Sequence, residues 1–450
     1  MGKYFGTDGY RGEAGEVLTA FDAYKIGRLL GSEKNGKRVR AVIGKDTRRS
    51  SYMLEYALAA GLASSGADAY MLHVTTTPSV SYAVAGDGFD LGIMISASHN
   101  PYCDNGIKIV KSGGEKMDDC QIEALERRMD MSDEEWRALP YAKGADIGRI
   151  TDYSEGRNRY VGYLISVSRR SFKGLRIGLD CGNGGAWMIA KSVFDALGAR
   201  VYAIGAEPNG LNINSGCGST HVDSLCALVR EKELDMGFAF DGDADRCIAV
   251  DERGEVVDGD RIMYILAKEM KRAGELKGNT VVTTVMSNMG LWRALENEGI
   301  GYEVTSVGDR YVHEKMTEKG YSLGGEQSGH VILGKYATTG DGILTAIKIT
   351  EAVVENKTDL SHLGAGMSEM PQVVRSVRAV DKDGVVNSPR VQAAKKRAEE
   401  RLGKGGRVML RKSGTEPVIR IMVEAESREE CEALAQMIER AVEDENEGAV

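Results

Sequence analysis

The chain has 450 residues, too many for one ordinary core, and at ~100–200 residues per domain it divides into two to four domains. Its net charge of −9, with both signs interspersed, excludes the basic stripe of a nucleic-acid binder and leaves an anionic ligand possible only where a few cations converge. Seven cysteines scattered singly and six histidines without an H-E-x-x-H pattern argue against a disulfide framework and against zinc chemistry.

The opening, MGKYFGTDGYRG, lacks the charged-then-apolar build of a signal peptide, and no apolar run approaches the ~18 residues that span a bilayer. A cytoplasmic chain without a membrane partner is expected. Glycine is abundant (56) and proline scarce (7), as suits many tight strand-to-helix turns.

One pattern then recurs three times: an amphipathic helix, a glycine at its end, and a short apolar strand. It reads YALAAGLASSGADAYMLH around Gly66, SVFDALGARVYAIG around Gly198, and LWRALENEGIGYEVTSVG around Gly299. The upstream strands are RVRAVIGKD, GLRIGLDCG and NTVVTTVMS. Strand, glycine-capped helix and strand make βαβ units, so three similar α/β domains with largely parallel sheets are predicted. The last ~80 residues change character. A strand VVRSVRAV and a charged helix from about Val391 to Leu402 precede two strands, RVMLR and VIRIMVEA, and a final helix from about Glu429 to Glu443. This is a smaller C-terminal α+β domain with an antiparallel element. The expected domains are 1–155, 156–253, 254–367 and 368–450.

Four segments carry chemistry. In DLGIMISASHNPYCDNGIKIV, Ser96 to Pro101 should leave a strand end as a loop, and Asn105-Gly106 favours a tight turn that returns Lys108 to it. Ser98 is a weak nucleophile without help, and His99 and Lys108 are the local helpers. In MGFAFDGDADRCIAVDERG, Asp241, Asp243 and Asp245 alternate, so three carboxylates converge and repel unless a cation lies among them. Oxygen ligands on a compact loop suit Mg²⁺. A calcium EF-hand is excluded: its sixth position, which needs glycine, is Arg246, and the flanks read as strands.

In SLGGEQSGHVI, glycines allow close backbone approach while Glu326, Ser328 and His330 alternate, a set that can bind vicinal sugar hydroxyls. In RVMLRKSGTEPVIRIMVEA, Arg411, Ser413, Gly414, Thr415 and Arg420 can converge between two strands; guanidinium forks, hydroxyls and amides are what a phosphate dianion requires. The GNG turn of LDCGNGGAW lacks G-x-G-x-x-G and reads as a plain strand-to-helix connection.

Taken in order, GTDGYRG, SASHNP, DGDADR, GEQSGH and RKSGTEPVIR resemble the α-D-phosphohexomutase family across essentially the whole chain. The resemblance implies four domains around a central cleft, each giving one loop. It implies that Ser98 carries a phosphoryl group and that Asp241, Asp243 and Asp245 hold Mg²⁺ with that phosphate as a further ligand. Arg11 and Lys108 match positions near the transferred group, and Arg246 follows the aspartates. Glu326 and Ser328 match sugar contacts, and Arg411, Ser413, Gly414, Thr415 and Arg420 match a clamp on the non-reacting phosphate. The implied partner is a hexose phosphate, with a sugar 1,6-bisphosphate as intermediate and activator, acted on by a monomer or homodimer. GEQSGH, VGDRYVHEKM and KYFGTDG are similar to the branch acting on glucosamine phosphate; branches acting on glucose or mannose phosphate are the nearest rivals. Two departures stand out: Tyr10 where glucosamine-type members often have isoleucine, and Lys412 where many have proline. A metal-dependent phosphatase is the rival of a different class, and it needs no second phosphate clamp.

Overall fold

The computed structural model describes residues 2–32, 37–379, 381–412 and 417–448. They fall into two compact units, Met1–Ser287 with Glu298–Gly366, and Asn288–Asn297 with Met367–Val450.

The larger unit holds three sheets. The first has seven strands in the order Phe5–Gly6, Gly9–Glu13, Asp104–Lys111, Leu91–Ile95, Arg40–Lys45, Asp68–Val74 and Ile150–Asp152. The last four run parallel, and the first three add on antiparallel. Every residue of Leu91–Ile95 is buried, as befits a strand covered on both faces, where apolar residues need not alternate with polar ones. The second sheet runs Val256–Val257, Cys247–Val250, Met236–Phe240, Arg176–Asp180 and Arg200–Ile204, the last three parallel. The third runs Gly301–Thr305, Thr280–Thr284, Leu323–Gly325 and Val331–Leu333, with only the last strand antiparallel.

The three glycine-ended helices occur as predicted. Gly66, Gly198 and Gly299 have φ of 88°, 97° and 60°, values that a residue with a Cβ adopts only at a cost. Each helix joins a parallel pair: Arg40–Lys45 to Asp68–Val74, Arg176–Asp180 to Arg200–Ile204, and Thr280–Thr284 to Gly301–Thr305. The third of these helices, Met289–Asn297, belongs to the smaller unit. There the Met289 amide donates to Glu424 Oε1 at 2.8 Å, and the Asn288 side chain both donates to the Met370 carbonyl and accepts its amide, each at 3.0 Å.

The rest of the smaller unit is an antiparallel sheet, Gln372–Arg378, Val418–Glu424 and Arg407–Lys412 in that order, packed on two longer helices with the short helix Lys382–Asn387 beside them. Val391, Ala394, Ala398 and Leu402 from one helix meet Cys431, Leu434, Ala435 and Ile438 from the other in its core. The first helix, Pro389–Leu402, starts two residues ahead of the sequence reading. Ser388 caps it by accepting the Val391 amide, and Pro389 fits the first turn because the missing N–H would be unpaired anyway. The final helix likewise runs longer than expected, Arg428–Gly448.

The turn expected at Asn105-Gly106 is not there. Both residues lie inside the strand Asp104–Lys111, and the chain reverses earlier, through Tyr102 and Cys103. The Asn105 side chain is spent on the Ser50 and Ser51 hydroxyls, and Gly106 is needed for closeness: a Cβ there would stand 2.5 Å from the Ser96 carbonyl oxygen. Lys108 returns to Ser98 by strand pairing, opposite Met94. Among the described residues no helix is long and apolar enough to cross a membrane.

Candidate active site

The loop bearing Ser98 follows the strand Leu91–Ile95, the aspartate loop follows Met236–Phe240, and the glycine-rich loop follows Leu323–Gly325. All three leave the carboxyl ends of parallel strands, where backbone groups and side chains are not consumed by a sheet.

Ser98 is buried and its backbone is left-handed, with φ of 53°. Its hydroxyl donates to Asp241 Oδ2 at 2.5 Å and lies 3.3 Å from His99 Nδ1. A hydroxyl between a carboxylate and an imidazole is placed for exchange of a proton and of a group bonded to Oγ.

Asp241, Asp243 and Asp245 are all buried, and one carboxylate oxygen from each lies within 4.8 Å of the others. Ala244, between the last two, has φ of 53°, and its amide closes the loop onto the Asp241 carbonyl at 3.0 Å. Lys108 Nζ reaches Asp243 Oδ2 at 2.5 Å and Asp245 Oδ2 at 3.1 Å. Thr77, at the start of a helix in the first domain, donates its hydroxyl to Asp243 and its amide to the Asp243 carbonyl. The other oxygens, Asp243 Oδ1 and Asp245 Oδ1, are buried with no hydrogen-bond partner among the described residues. Two such carboxylate oxygens facing a third acid fit a hard cation.

Charge within this group is unevenly shared. Burial, then Asp245 and Asp243, push the Asp241 carboxyl well above the usual range. Burial is the largest influence on Asp243 and Asp245 and opposes their charge, yet Lys108, joined by the Thr77 hydroxyl at Asp243 and by His330 and Arg246 at Asp245, holds both below the usual range. To take a proton from a sugar hydroxyl near neutral pH, Lys108 would have to be lowered by neighbouring cations. The structure places it the other way: burial disfavours the ammonium, but Asp243 and Asp245 hold it above its ordinary value. His99 differs, because burial and then the Arg246 and Arg11 guanidinium groups push its imidazole down to about 4.

Arg11 lies on the strand Gly9–Glu13 opposite Gly106, 3.5 Å from Asp8, with Nε buried and without a partner among the described residues. Arg246 donates its amide to Asp241 Oδ1 at 3.1 Å and pairs across a short bridge with His330. That bridge, with the Cys247 amide on the Gly329 carbonyl at 3.0 Å, fastens the glycine-rich loop to the aspartate loop. Gly329 makes it possible: its φ is 90° and a Cβ would fall 2.3 Å from the Cys247 oxygen. In the same loop Glu326 Oε1 accepts the Gly308 amide at 2.9 Å, and Ser328 Oγ is buried without a partner among the described residues. His330 is buried; its Nε2 accepts the Gly340 amide at 3.2 Å and lies 3.4 Å from Asp309.

In the smaller unit Arg411 and Arg420 are exposed and directly opposite one another on adjacent strands. Ser413, Gly414 and Thr415 lie outside the described residues. Lys412, one of the two departures, pairs with Asp383. The other, Tyr10, is a core residue whose hydroxyl donates to the Val17 carbonyl at 2.8 Å.

Some neighbours of the site carry no sequence mark. Thr77 reads only as a helix start, and Arg48 and Asn214, which grip the Ser98 loop, read as an arginine beside a helix and an asparagine in a polar turn. Burial of such side chains emerges only from the packing of separate domains.

Four domain patterns described as phosphoglucomutase/phosphomannomutase match this chain in order. They are alpha/beta/alpha domain I at residues 2–136, domain II at 158–254, domain III at 258–370, and the C-terminal domain at 375–441. A phosphoglucosamine mutase of Lachnospira eligens is 56% identical over 96% of each chain, and one of Bacillus subtilis is 47% identical over 99% of each. Among solved structures, a phosphoglucomutase/phosphomannomutase family protein of Burkholderia thailandensis superposes with a TM-score of 0.81 at 25% identity, covering 99% of this chain and 98% of its own. N-acetylphosphoglucosamine mutase of Aspergillus fumigatus shares the fold, with a TM-score of 0.70 at 18% identity over 99% of this chain and 96% of its own. The chain therefore belongs to the phosphoglucomutase/phosphomannomutase family of α-D-phosphohexomutases.

Proposed function

We propose that this chain interconverts glucosamine 6-phosphate and glucosamine 1-phosphate, passing the phosphoryl group through Ser98 and a bisphosphorylated sugar. The observation that carries the reading is the buried Ser98 hydroxyl on Asp241, at the rim of three converged carboxylates and beside Lys108. The choice of glucosamine rests on the relatives bearing that name at 47–56% identity over nearly the whole chain.

In the forward step a sugar hydroxyl oxygen bonds to the phosphorus held on Ser98. The bond from phosphorus to Ser98 Oγ breaks, its electron pair stays on Oγ, and Oγ takes up a proton as the sugar hydroxyl gives one up. The sugar now carries two phosphates, reverses, and returns the other one to Ser98. Asp241, Asp243 and Asp245 would hold Mg²⁺, which supplies positive charge to the oxygens of the moving phosphoryl group. Arg11, Lys108 and Arg246 add cations around the same position. Two groups are candidates to take the proton of the attacking hydroxyl, and they are held in opposite states. Lys108 must first give up a proton that Asp243 and Asp245 stabilise, whereas His99 is already neutral beside Oγ. Glu326, Ser328 and His330 are assigned to the sugar. Arg411, Ser413, Gly414, Thr415 and Arg420 are assigned to the phosphate that is not reacting.

The test joins modification, nucleophile and substrate. Peptide mass spectrometry of active protein should find phosphate on Ser98, and Ser98→Ala should have almost no mutase turnover. In competition at equal concentrations glucosamine 6-phosphate should be consumed ahead of glucose and mannose 6-phosphates. Full turnover by Ser98→Ala ends the mechanism, and a clear preference for mannose phosphate ends the assignment of the sugar.

A further inference from the structure

Ser98 sits in a backbone conformation that serine seldom adopts, so something must hold it there. Its amide donates to Ser96 Oγ at 2.9 Å, and the Ser96 hydroxyl donates to Asp46 Oδ2 at 2.7 Å. The Ser98 carbonyl is held more closely still. It accepts Arg48 Nη2 at 3.0 Å and Asn214 Nδ2 at 2.8 Å. The same two nitrogens also reach the Asn100 carbonyl, at 2.8 and 3.0 Å.

Arg48 is fully buried, and its five N–H groups are all committed. Nε donates to Asp46 at 2.7 Å, Nη2 takes the Ser98 and Asn100 carbonyls, and Nη1 takes those of Asp104, at 3.0 Å, and Pro101. One guanidinium thus ties four carbonyls of the loop from Ser98 to Asp104. Asp46 in turn accepts the Arg48 amide at 3.0 Å and the Ser51 hydroxyl at 2.7 Å, so the guanidinium is itself fixed. Asn214 comes from the second domain, and Gly242 of the aspartate loop backs the carbonyl from the same side. A Cβ on Gly242 would stand 2.5 Å from the Ser98 oxygen.

We propose that Arg48 and Asn214 are positioning residues for Ser98, a two-sided grip that aims the nucleophile by fixing the carbonyls of Ser98 and Asn100 from two domains. The inference rests on the reading that Ser98 carries the phosphoryl group. Neither side chain bonds to the serine hydroxyl or the carboxylates, so their effect falls on geometry rather than on charge at the reacting atoms. A lysine at position 48 offers at most three donors on a single nitrogen and cannot serve the four carbonyls and Asp46 together. An alanine at 214 removes the contact from the second domain and leaves Arg48 in place.

The experiment compares Arg48→Lys, Asn214→Ala, the double variant and Ser98→Ala with the unaltered protein. Each is examined as folded, Mg²⁺-supplied, full-length enzyme, phosphorylated beforehand with a sugar bisphosphate. Transfer from Ser98 to glucosamine 6-phosphate is followed in a single turnover, and kcat and KM are measured separately. Misaligning the Ser98 oxygen, which leaves in this transfer and attacks in the return one, costs up to about a hundredfold, so transfer and kcat should fall about tenfold to a hundredfold in each single variant while KM moves less than about threefold. Because both side chains hold the same carbonyls, the double variant should lose less than the product of the single losses. If Asn214→Ala and folded Arg48→Lys transfer within about twofold of the unaltered enzyme while Ser98→Ala is dead, the grip is wrong and the function stands. Should Arg48→Lys fail to fold, Asn214→Ala decides alone. If Ser98→Ala still turns over, the parent reading falls instead.

Discussion

Asp241 is where burial and charge conflict. Lys108 spends its contacts on Asp243 and Asp245, and the third acid is left with the Arg246 amide and the Ser98 hydroxyl. Without a cation, burial and the two neighbouring acids favour the protonated form of Asp241. A divalent ion must displace that proton. Mg²⁺ binding should therefore release protons at any pH where Asp241 still holds one, and affinity should fall as the pH is lowered. Calorimetry of the dephosphorylated protein in two buffers of different ionisation heat counts the protons. Binding that releases none, with affinity flat in pH, contradicts the arrangement. At this scale the sequence was readable where chemistry marks a residue. Three alternating aspartates and a serine after an apolar run announce themselves. Arg48, Asn214 and Thr77 do not, because their bonds are to backbone or to acids far along the chain.

A single carboxyl also governs an element. Asp341 caps the helix Gly342–Asn356, accepting the Leu344 amide at 3.0 Å and the Tyr160 hydroxyl at 2.8 Å. Burial raises it to about 6 despite both bonds. The folded state holds this proton more tightly than the unfolded chain does, whose carboxyl titrates near 3.8. Its contribution is thus fully present below about pH 4 and is lost as pH rises through about 6, a change of at most about 3 kcal/mol. Asp341→Asn keeps the cap and cannot ionise. The variant should gain on the parent protein by about 1–3 kcal/mol between pH 4 and pH 7.5, read from denaturant unfolding at each pH. Parallel stability curves would refute it. The helix ends themselves were legible, since Gly66, Gly198 and Gly299 fall where left-handed turns are required. Asn105-Gly106 misled because the pair is usual in turns, and only the pairing of Asp104–Lys111 with two neighbours shows it drawn into a strand.

At the scale of the molecule, a mutase differs from a phosphatase in needing a second hold on its substrate. The smaller unit supplies a candidate in Arg411 and Arg420, facing each other across adjacent strands. A dianion bound there would take charge-assisted bonds from both guanidinium forks. Arg420→Ala should leave Ser98 and the carboxylates as they are while loosening the phosphate that is not reacting. Loss of such a bond, about 1.5–3 kcal/mol, corresponds to roughly a tenfold to hundredfold fall in kcat/KM. A second consequence separates this from a mere loss of affinity. The bisphosphorylated sugar must turn over between the two transfers, and a weakened hold lets it escape before the second. Free sugar bisphosphate should therefore accumulate during turnover by Arg420→Ala, measured by trapping it with a coupled assay, while the first transfer from Ser98 keeps its rate at saturating substrate. Retention of the bisphosphate together with unchanged kcat/KM would remove the clamp from this arginine pair and return the phosphatase reading to contention.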